Sequence, residues 1–405
     1  MMNSKLLVLI LAAVLAVPAV PLILSDPSTA EASDGTGGTQ FDITYALKGT
    51  EYTVSYDGPD DMAVIFGYAI GKTVDQAGMY SKIYAAGPYA NNALAEDGNK
   101  KVTELPSLYS SGNIDQIFTI LVQAVDSGKL DKENTTVILT TYIDNSLNLR
   151  NKLAEAGFAH VLFYGSIETY SQVVSCVSDI EKALGSSEGL ADGMTQTEDE
   201  VAAALNGAEK KDFIYLWYSS SNGWGAKQSG LAVTLGEAAA GNNVGYTSDL
   251  TSGTYYNENF IIQSLSSHPD CTIVLDSGYA RNYGGSAEKF VDEFMGGSIG
   301  GHTIFVCKQE WNNYDPQFAD GLKAFAAALH PDLYSRSDVK VYSSADFEGG
   351  SDGGAGGDEE DDDDEHSSAD FEGGSDGGSN TAVYAGAAVA AAILVGAVLW
   401  FCSRH

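Results

Sequence analysis

Apolar residues at Ile167, Tyr170, Val174, Val177, Ile180 and Leu184 recur at steps of three and four, as one face of an amphipathic helix does. Leu190, Met194, Val201 and Leu205 carry the pattern on. Gly185, Ser186, Ser187 and Gly189 weaken its continuity. The spacing predicts a long helical region over residues 167–207. Upstream, residues 41–56 alternate around Lys48-Gly49 as a hairpin does. Residues 62–68 read as a continuous apolar strand, 113–125 as a helix, 136–141 as a strand, 148–156 as a helix stopped by Gly157, and 159–163 as a strand. Downstream the order restarts: a strand at 212–218, helices at 231–240 and 260–266, strands at 271–275 and 303–307, and a closing helix at 320–329. Continuous apolar strands imply burial on both faces, the habit of a parallel sheet under helices. Strand, helix, strand at this spacing is a βαβ unit. The expected fold class is α/β: two three-layer α/β/α lobes with mostly parallel sheets, at 33–166 and 209–342, joined by one long helix within 167–208. The stretch GYAIG at 67–71 points to a first helix that is short or shifted.

The two ends read differently from this middle. Lys5 precedes an apolar run over 6–24, and Ala30 and Ala32 give the A-x-A arrangement of a secretory signal, so 1–32 is expected to be removed. Residues 382–402 carry no charge, are long enough to cross a bilayer, and are followed by Arg404 on a tail at 403–405. A C-terminal transmembrane helix at 381–402 is expected, with Arg404 inside the cell and the folded part outside. Between them, SSADFEGGSDGG at 343–354 recurs letter for letter at 367–378, around a run of Asp and Glu. Gly, Ser and like charges form no core and repel one another into an extended tether, so 343–380 is expected to be a stalk. GGSDG matches the serine-hydrolase G-x-S-x-G in letters alone, since no strand precedes it and no helix follows.

Formal net charge is −34, and residues 346–376 hold 14 carboxylates without a Lys or Arg. Residues 33–345 still hold 39 acids against 19 bases, a net of about −20. Such a surface repels phosphate backbones and disfavours nucleic-acid partners. Four cysteines are too few and too scattered for a disulfide framework or a zinc site. Cys271 and Cys307 lie in strand-like runs, where a bond or two free thiols both fit. No Ser/His/Asp set, paired carboxylates or metal cluster stands at interpretable spacing, so no catalytic residue, metal or cofactor is assigned.

Six segments in order carry a resemblance. TYALKGTEYTVSYDGPDDMAVIFG at 44–67, LPSLYSSGNIDQIFTI at 105–120 and LAEAGFAHVLFYGSIETYSQVVSCVSDIEKALG at 153–185 come from the first half. GEAAAGNNVG at 236–245, NENFIIQSLSSHPDCTIVLDS at 257–277 and DGLKAFAAALHPDLY at 320–334 come from the second. Together they resemble the solute-binding proteins of ABC importers for iron-siderophore, haem and cobalamin, whose two lobes are joined by one rigid helix. The resemblance covers roughly residues 41–342. It implies a cleft between the lobes, a small-molecule metal chelate or corrinoid as ligand, and an ABC permease as partner. It also implies docking carboxylates on each lobe, for which Asp75 and, loosely, Glu237 are the candidates.

In open α/β sheets a ligand cleft faces the carboxyl ends of the strands. Reading outward from those ends gives Tyr68, Tyr109 and Tyr142 in the first half. In the second it gives Tyr218, Trp224, Tyr279, Arg281, Tyr283 and Trp311. An aromatic rim with one cation suits a flat, partly anionic chelate. His268 and His330 precede Pro-Asp and read as structural, while His160, opening a strand, is the histidine to watch. The expectation is a non-enzymatic, monomeric solute-binding protein anchored in the cell membrane by a single pass. An adhesive surface protein is the alternative and a surface hydrolase the third reading.

Overall fold

The structure is a computed structural model and describes residues 39–47, 49–140, 142–165, 167–248, 253–277 and 301–343. The expected signal segment, the stalk beyond Ser343, the anchor and the tail lie outside the described residues. Among the described residues no helix is long and apolar enough to cross a membrane.

The chain opens as the expected hairpin, β1 (Phe41–Leu47) antiparallel to β2 (Thr50–Tyr56), with Gly49 at φ 75° in the turn. Five parallel strands follow in the order β5-β4-β3-β6-β7: β3 (Met62–Ile65), β4 (Ile83–Ala86), β5 (Thr103–Glu104), β6 (Thr135–Thr140) and β7 (His160–Tyr164). The chain steps one way through β3, β4 and β5, then returns to the far side of β3. Strand order therefore reverses between β3 and β6. Helices α1 (Tyr68–Gln76) and α2 (Pro88–Glu96) pack on each other, as do α3 (Asn113–Asp126) and α4 (Ile143–Glu155). Right-handed crossovers place the two pairs on opposite faces. Tyr68, expected at the end of a strand, is instead the first residue of α1, because Gly67 at φ 94° turns the chain one residue earlier. Residues 83–96, given no element from the sequence, hold β4 and α2.

The second sheet has seven strands in the order β11-β9-β8-β12-β13-β14, with β10 beside the start of β8. β8 (Lys211–Ser219), β10 (Gly241–Asn243), β12 (Thr272–Asp276) and β13 (Thr303–Cys307) are parallel; β9 (Gly223–Lys227), β11 (Thr254–Tyr255) and β14 (Val341–Tyr342) run against their neighbours. Alternate residues of β8 enter different cores: Phe213 and Tyr215 join one cluster, Ile214 and Leu216 the other. That alternation is what a sheet covered on both faces requires. Leu235 of α7 (Leu231–Ala238) and Phe325 of α9 (Phe318–Leu329) fill one side, Ile261 and Leu265 of α8 (Glu258–Ser267) the other. Cys271 and Cys307 are free and buried. In the β12/β13 register Cys307 faces Asp276, five residues along from Cys271. At about 3.3 Å per residue the two thiols are too far apart to bond.

The long predicted helix is two helices, α5 (Tyr170–Leu184) and α6 (Leu190–Ala204). Gly185 and Gly189, at φ 71° and 69°, end one and begin the other. The Ser186 N–H donates back to the Glu181 carbonyl at 2.8 Å, and the Glu181 carboxylate accepts from the N–H groups of Leu190 and Ala191 at 2.8 and 3.0 Å. One glutamate thus sits against the last turn of α5 and caps α6. A capping box of Thr169 and Gln172 starts α5. Of these two helices, α5 bridges the lobes. Tyr170, Val173 and Val177 belong to the second-lobe core, whereas Cys176, Ile180, Ala183 and Leu184 belong to the first.

The base of the first lobe is tied by Asp60, which is buried. Its carboxylate accepts from Thr136 Oγ1 at 2.6 Å and meets His160 Nδ1 at 2.8 Å, and its N–H donates to the Ala183 carbonyl of α5 at 2.8 Å. His160 Nε2 lies 3.1 Å from the Ser55 carbonyl, and its ring stacks on Tyr56 at 4.0 Å. His160 therefore fastens hairpin, sheet and α5 together.

The glycines of α1 and α6 differ in their surroundings. A Cβ on Gly71 would lie 2.9 Å from the Ala90 carbonyl oxygen and 3.0 Å from Ala93 Cβ, so glycine allows α1 and α2 their close contact. A Cβ on Gly193 would meet nothing within 4 Å. Gly71→Ala should destabilise the chain by about 1–3 kcal/mol, and Gly193→Ala should stabilise it by about 0.5–1 kcal/mol. Urea unfolding of both variants checks the opposite signs.

Candidate functional site

The carboxyl ends of the parallel strands carry an aromatic pair in each lobe. In the first, Tyr109 and Tyr142 meet edge to face with centroids 5.4 Å apart. Tyr109 follows β5 and is 71% exposed. Asn145 at the start of α4 steadies that loop, donating to the carbonyls of Leu108 and Tyr109 at 2.7 and 3.3 Å. Tyr142 sits at φ 44°, ψ 56° where β6 turns into α4. A left-handed conformation costs a tyrosine on the order of 1–3 kcal/mol, and such strain gathers at ligand clamps and switch regions. In the second lobe Tyr218, near the end of β8, tilts against Trp224 of β9 with centroids 5.1 Å apart; Trp224 itself is 8% exposed and belongs to the core on that face of the sheet, so Tyr218 is the ring of the pair nearer solvent. The β8–β9 hairpin, which the sequence did not reveal, brings these two together.

The remaining expected site residues divide. Burial, and then the hydrogen bond its hydroxyl donates to Glu96, hold the ionisation of Tyr68 well above the usual tyrosine range. Trp311 is not on the cleft wall. It is 4% exposed in the second-lobe core, stacked on Phe305 and flanked by Lys308 and Arg336. The sequence placed it just beyond a strand end, but residues 309–312 form a 3-10 turn that directs the ring inward. Tyr279, Arg281 and Tyr283 lie outside the described residues. Asp75, near the end of α1, accepts from Asn99 Nδ2 at 2.7 Å, and Glu237 stands exposed near the end of α7. His268, His302 and His330 bond Asp212, the Cys271 carbonyl and the Ala240 carbonyl respectively, each within its own lobe.

Between the lobes lies a contact that no sequence pattern announced. Tyr314, on the loop before α9, packs against the cores of both lobes, and its hydroxyl bonds Thr140 at the end of β6. Thr140 Oγ1 also donates to the Tyr164 carbonyl at 2.8 Å. A Cβ on Gly67, after β3, would clash with Thr140 Cγ2 at 2.1 Å and lie 3.6 Å from the Tyr314 hydroxyl. Tyr314 therefore enters the point between β3 and β6 where strand order reverses, the place where open α/β sheets bind ligands. Two cavities of about 440 Å³ lie elsewhere. One borders Met62 and residues 128–133; the other borders Lys210, Glu237 and Tyr246.

Asp315 follows Tyr314 and is fully buried. Its Oδ1 accepts from the Gln317 N–H at 2.9 Å, and its Oδ2 has no hydrogen-bond partner among the described residues. Burial pushes the carboxyl up to about 7, against partial relief from Gln317 and Lys72. A second buried acid, Asp179 of α5, is raised to about 6 by desolvation and partly relieved by Tyr164 and Lys182. In each case the native state binds a proton that the unfolded chain has released above pH 3.8. Their stabilising contribution is therefore complete below that pH, falls as pH rises, and is lost above about 7. Asp315→Asn keeps the Oδ1 acceptor and removes the charge. The variant should be more stable than the parent at pH 8, by on the order of 4 kcal/mol at most, and equal to it near pH 4. Chemical unfolding across this range measures both limits.

Comparison with known proteins returns no matching family model and no matching curated protein. Among solved structures, the chain is similar to the Ni–His complex of Helicobacter pylori CeuE, at 13% identity over 72% of this chain and 90% of that one, with a TM-score of 0.49. It is also similar to an ABC-type Fe3+-hydroxamate transport protein of Saccharomonospora viridis, at 15% identity, 72% and 99% coverage and a TM-score of 0.47. A third is the periplasmic vitamin B12 binding protein BtuF of Vibrio cholerae, at 13% identity, 67% and 97% coverage and a TM-score of 0.46. These are the class of proteins that the sequence segments resemble. At such scores no residue of theirs is matched to a residue here, and the site stands on this chain's own geometry.

Proposed function

We propose that this chain is a non-enzymatic surface receptor that captures an organic metal chelate of the iron-siderophore, haem or cobalamin kind and delivers it to an ABC permease. The observation that carries the reading is the Tyr109–Tyr142 pair, with Tyr109 exposed, at the carboxyl ends of parallel strands in the first lobe, with Tyr218 near the end of β8 in the second, in lobes that share one helix. Ring faces offer a flat ligand large contact area while losing few rotamers. The exposed ring of Tyr109 and the strained backbone of Tyr142 are features that packing alone does not call for. In this reading Arg281, with Tyr279 and Tyr283 beside it, pairs a ligand carboxylate. Trp311 and the hydroxyl of Tyr68 are engaged elsewhere and contribute support.

The same proposal takes residues 1–32 as a removed signal, 343–380 as an acidic stalk and 381–402 as a single-pass anchor, with the lobes outside the cell as a monomer. Glu237, exposed on the second lobe, is the better docking group for permease arginines, since Asp75 already accepts from Asn99. Sharing α5 between two cores restricts closure to a few degrees of hinge and to loop movement.

Thermal-shift titration of the full chain against cobalamin, haem and a panel of ferric siderophores tests the reading. One ligand should give a saturating rise, equivalent to about 2.7 kcal/mol at a hundredfold excess over Kd. Tyr109→Ala should leave the unliganded melting temperature unchanged and weaken that ligand about tenfold. A panel that shifts nothing would move the adhesive surface reading to the front.

A further inference from the structure

The seam between the lobes holds an acid that ligand capture does not use. Asp315 is fully buried on the 313–315 loop of the second lobe, next to Tyr314, whose hydroxyl bonds Thr140 of the first lobe, and within electrostatic reach of Lys72 and Asp97 of that lobe. The charged and titratable groups around it come from every element at that seam. α1 contributes Lys72 and Tyr68, the end of α2 contributes Asp97, the 3-10 turn contributes Glu310, α5 contributes Cys176, and the loop itself contributes Tyr314. The cation among them is already engaged: the Lys72 ammonium donates to Asp97 at 2.7 Å and lies 3.3 Å from Glu96. An ionised Asp315 would face Asp97 and Glu310 together with a Lys72 ammonium already shared by two carboxylates, with its Oδ2 unpartnered among the described residues. A neutral carboxyl requires no counter-charge there. Unseating the loop would return the carboxylate to water and relieve the conflict.

We propose that the 313–315 loop is a proton-operated latch between the lobes, seated in the strand-order reversal of the first sheet while Asp315 is neutral and released when Asp315 ionises. On release the carboxyl proton passes to solvent, the Tyr314–Thr140 bond opens, and the reversal point between Gly67 and Thr140 is uncovered. The burial that holds this carboxyl up to about 7 sets the upper limit of the pH response. Between the ordinary aspartate value of 3.8 and about 7 each pH unit favours the released state by up to about tenfold, and above about 7 the dependence ends. The latch follows from the seam alone and is independent of which ligand, or whether any ligand, occupies the cleft.

Interlobe distances measured by paired spin labels test it on the full chain. Labels on Thr119→Cys in α3 and Ser266→Cys in α8 occupy exposed positions on different lobes. Cys402→Ser removes the thiol outside the described residues, and the buried Cys176, Cys271 and Cys307 are shielded from reagent. The expected result is one narrow distance at pH 5.5 and a growing second population at pH 8.5. Asp315→Asn should keep the narrow distance at both pH values, whereas Tyr314→Phe should show the second population at lower pH than the parent. A distribution that ignores pH in the parent overturns the latch, as does a pH response that survives in Asp315→Asn. Should the Asn variant fail to accumulate, Asp315→Ser in the same labelled pair decides on the same criterion.

Discussion

The fold depends on one helix serving two hydrophobic cores. α5 has 15 residues, about 22 Å of helix at 1.5 Å per residue, and it spends its first half in the second lobe and its second half in the first. Its ends are fixed as firmly as its middle. Thr169 and Gln172 close the start, while Asp60 takes the Ala183 carbonyl at the finish and Pro59 lies against Gly185. A helix held this way cannot bend without opening a cavity in one core or the other, and cavities are costly. Movement between the lobes must then come from what lies beside the helix. The other interlobe contact described, Tyr314 on Thr140, is a single side chain at the end of a loop.

That contact bears on how the cleft should be understood. A reversal of strand order leaves a crevice because adjacent connections diverge to opposite faces. In the first lobe this crevice lies between Gly67 and Thr140, and a side chain of the second lobe fills it.

Much of the framework could be read from sequence, for a physical reason. Strands such as 136–141 and 303–307 are buried on both faces and carry continuous apolar runs, and the helix at 113–125 keeps a clean 3.6 period. The misses share a cause as well. α2 begins at Pro88 and is rich in Ala and Asn, so its pattern has little contrast, and β4 is four residues long. The break at Gly185 was visible, but reading the apolar face across it merged two helices; the Thr169-x-x-Gln172 capping box and the two glycines were the better signals. Trp311 shows the limit for site residues. Position after a strand identifies the correct end of the sheet, yet the direction of a side chain there is set by a turn whose geometry depends on packing. Tyr314 and Asp315 carry no periodic signal at all, since their importance arises from a lobe some 170 residues away in sequence.

The acidity of the chain, which the sequence reading used only to set aside nucleic acid, acts on the same equilibrium as burial. Residues 33–345 carry 39 acids and 19 bases, so the field around the lobes is negative. A negative field opposes the ionisation of a carboxyl inside it, in the same direction as desolvation. Asp97 and Glu310 are local instances of that field at the seam. The contributions differ in how far salt reaches them. The exposed charges are screened over about 8 Å at physiological ionic strength, whereas the desolvation of an enclosed carboxyl is not. Salt should therefore shift the proton affinity of Asp315 only by the share that the surface supplies, leaving burial to fix most of it. In the proposed latch, the response to pH is therefore nearly independent of salt, because the residue that responds is fully buried.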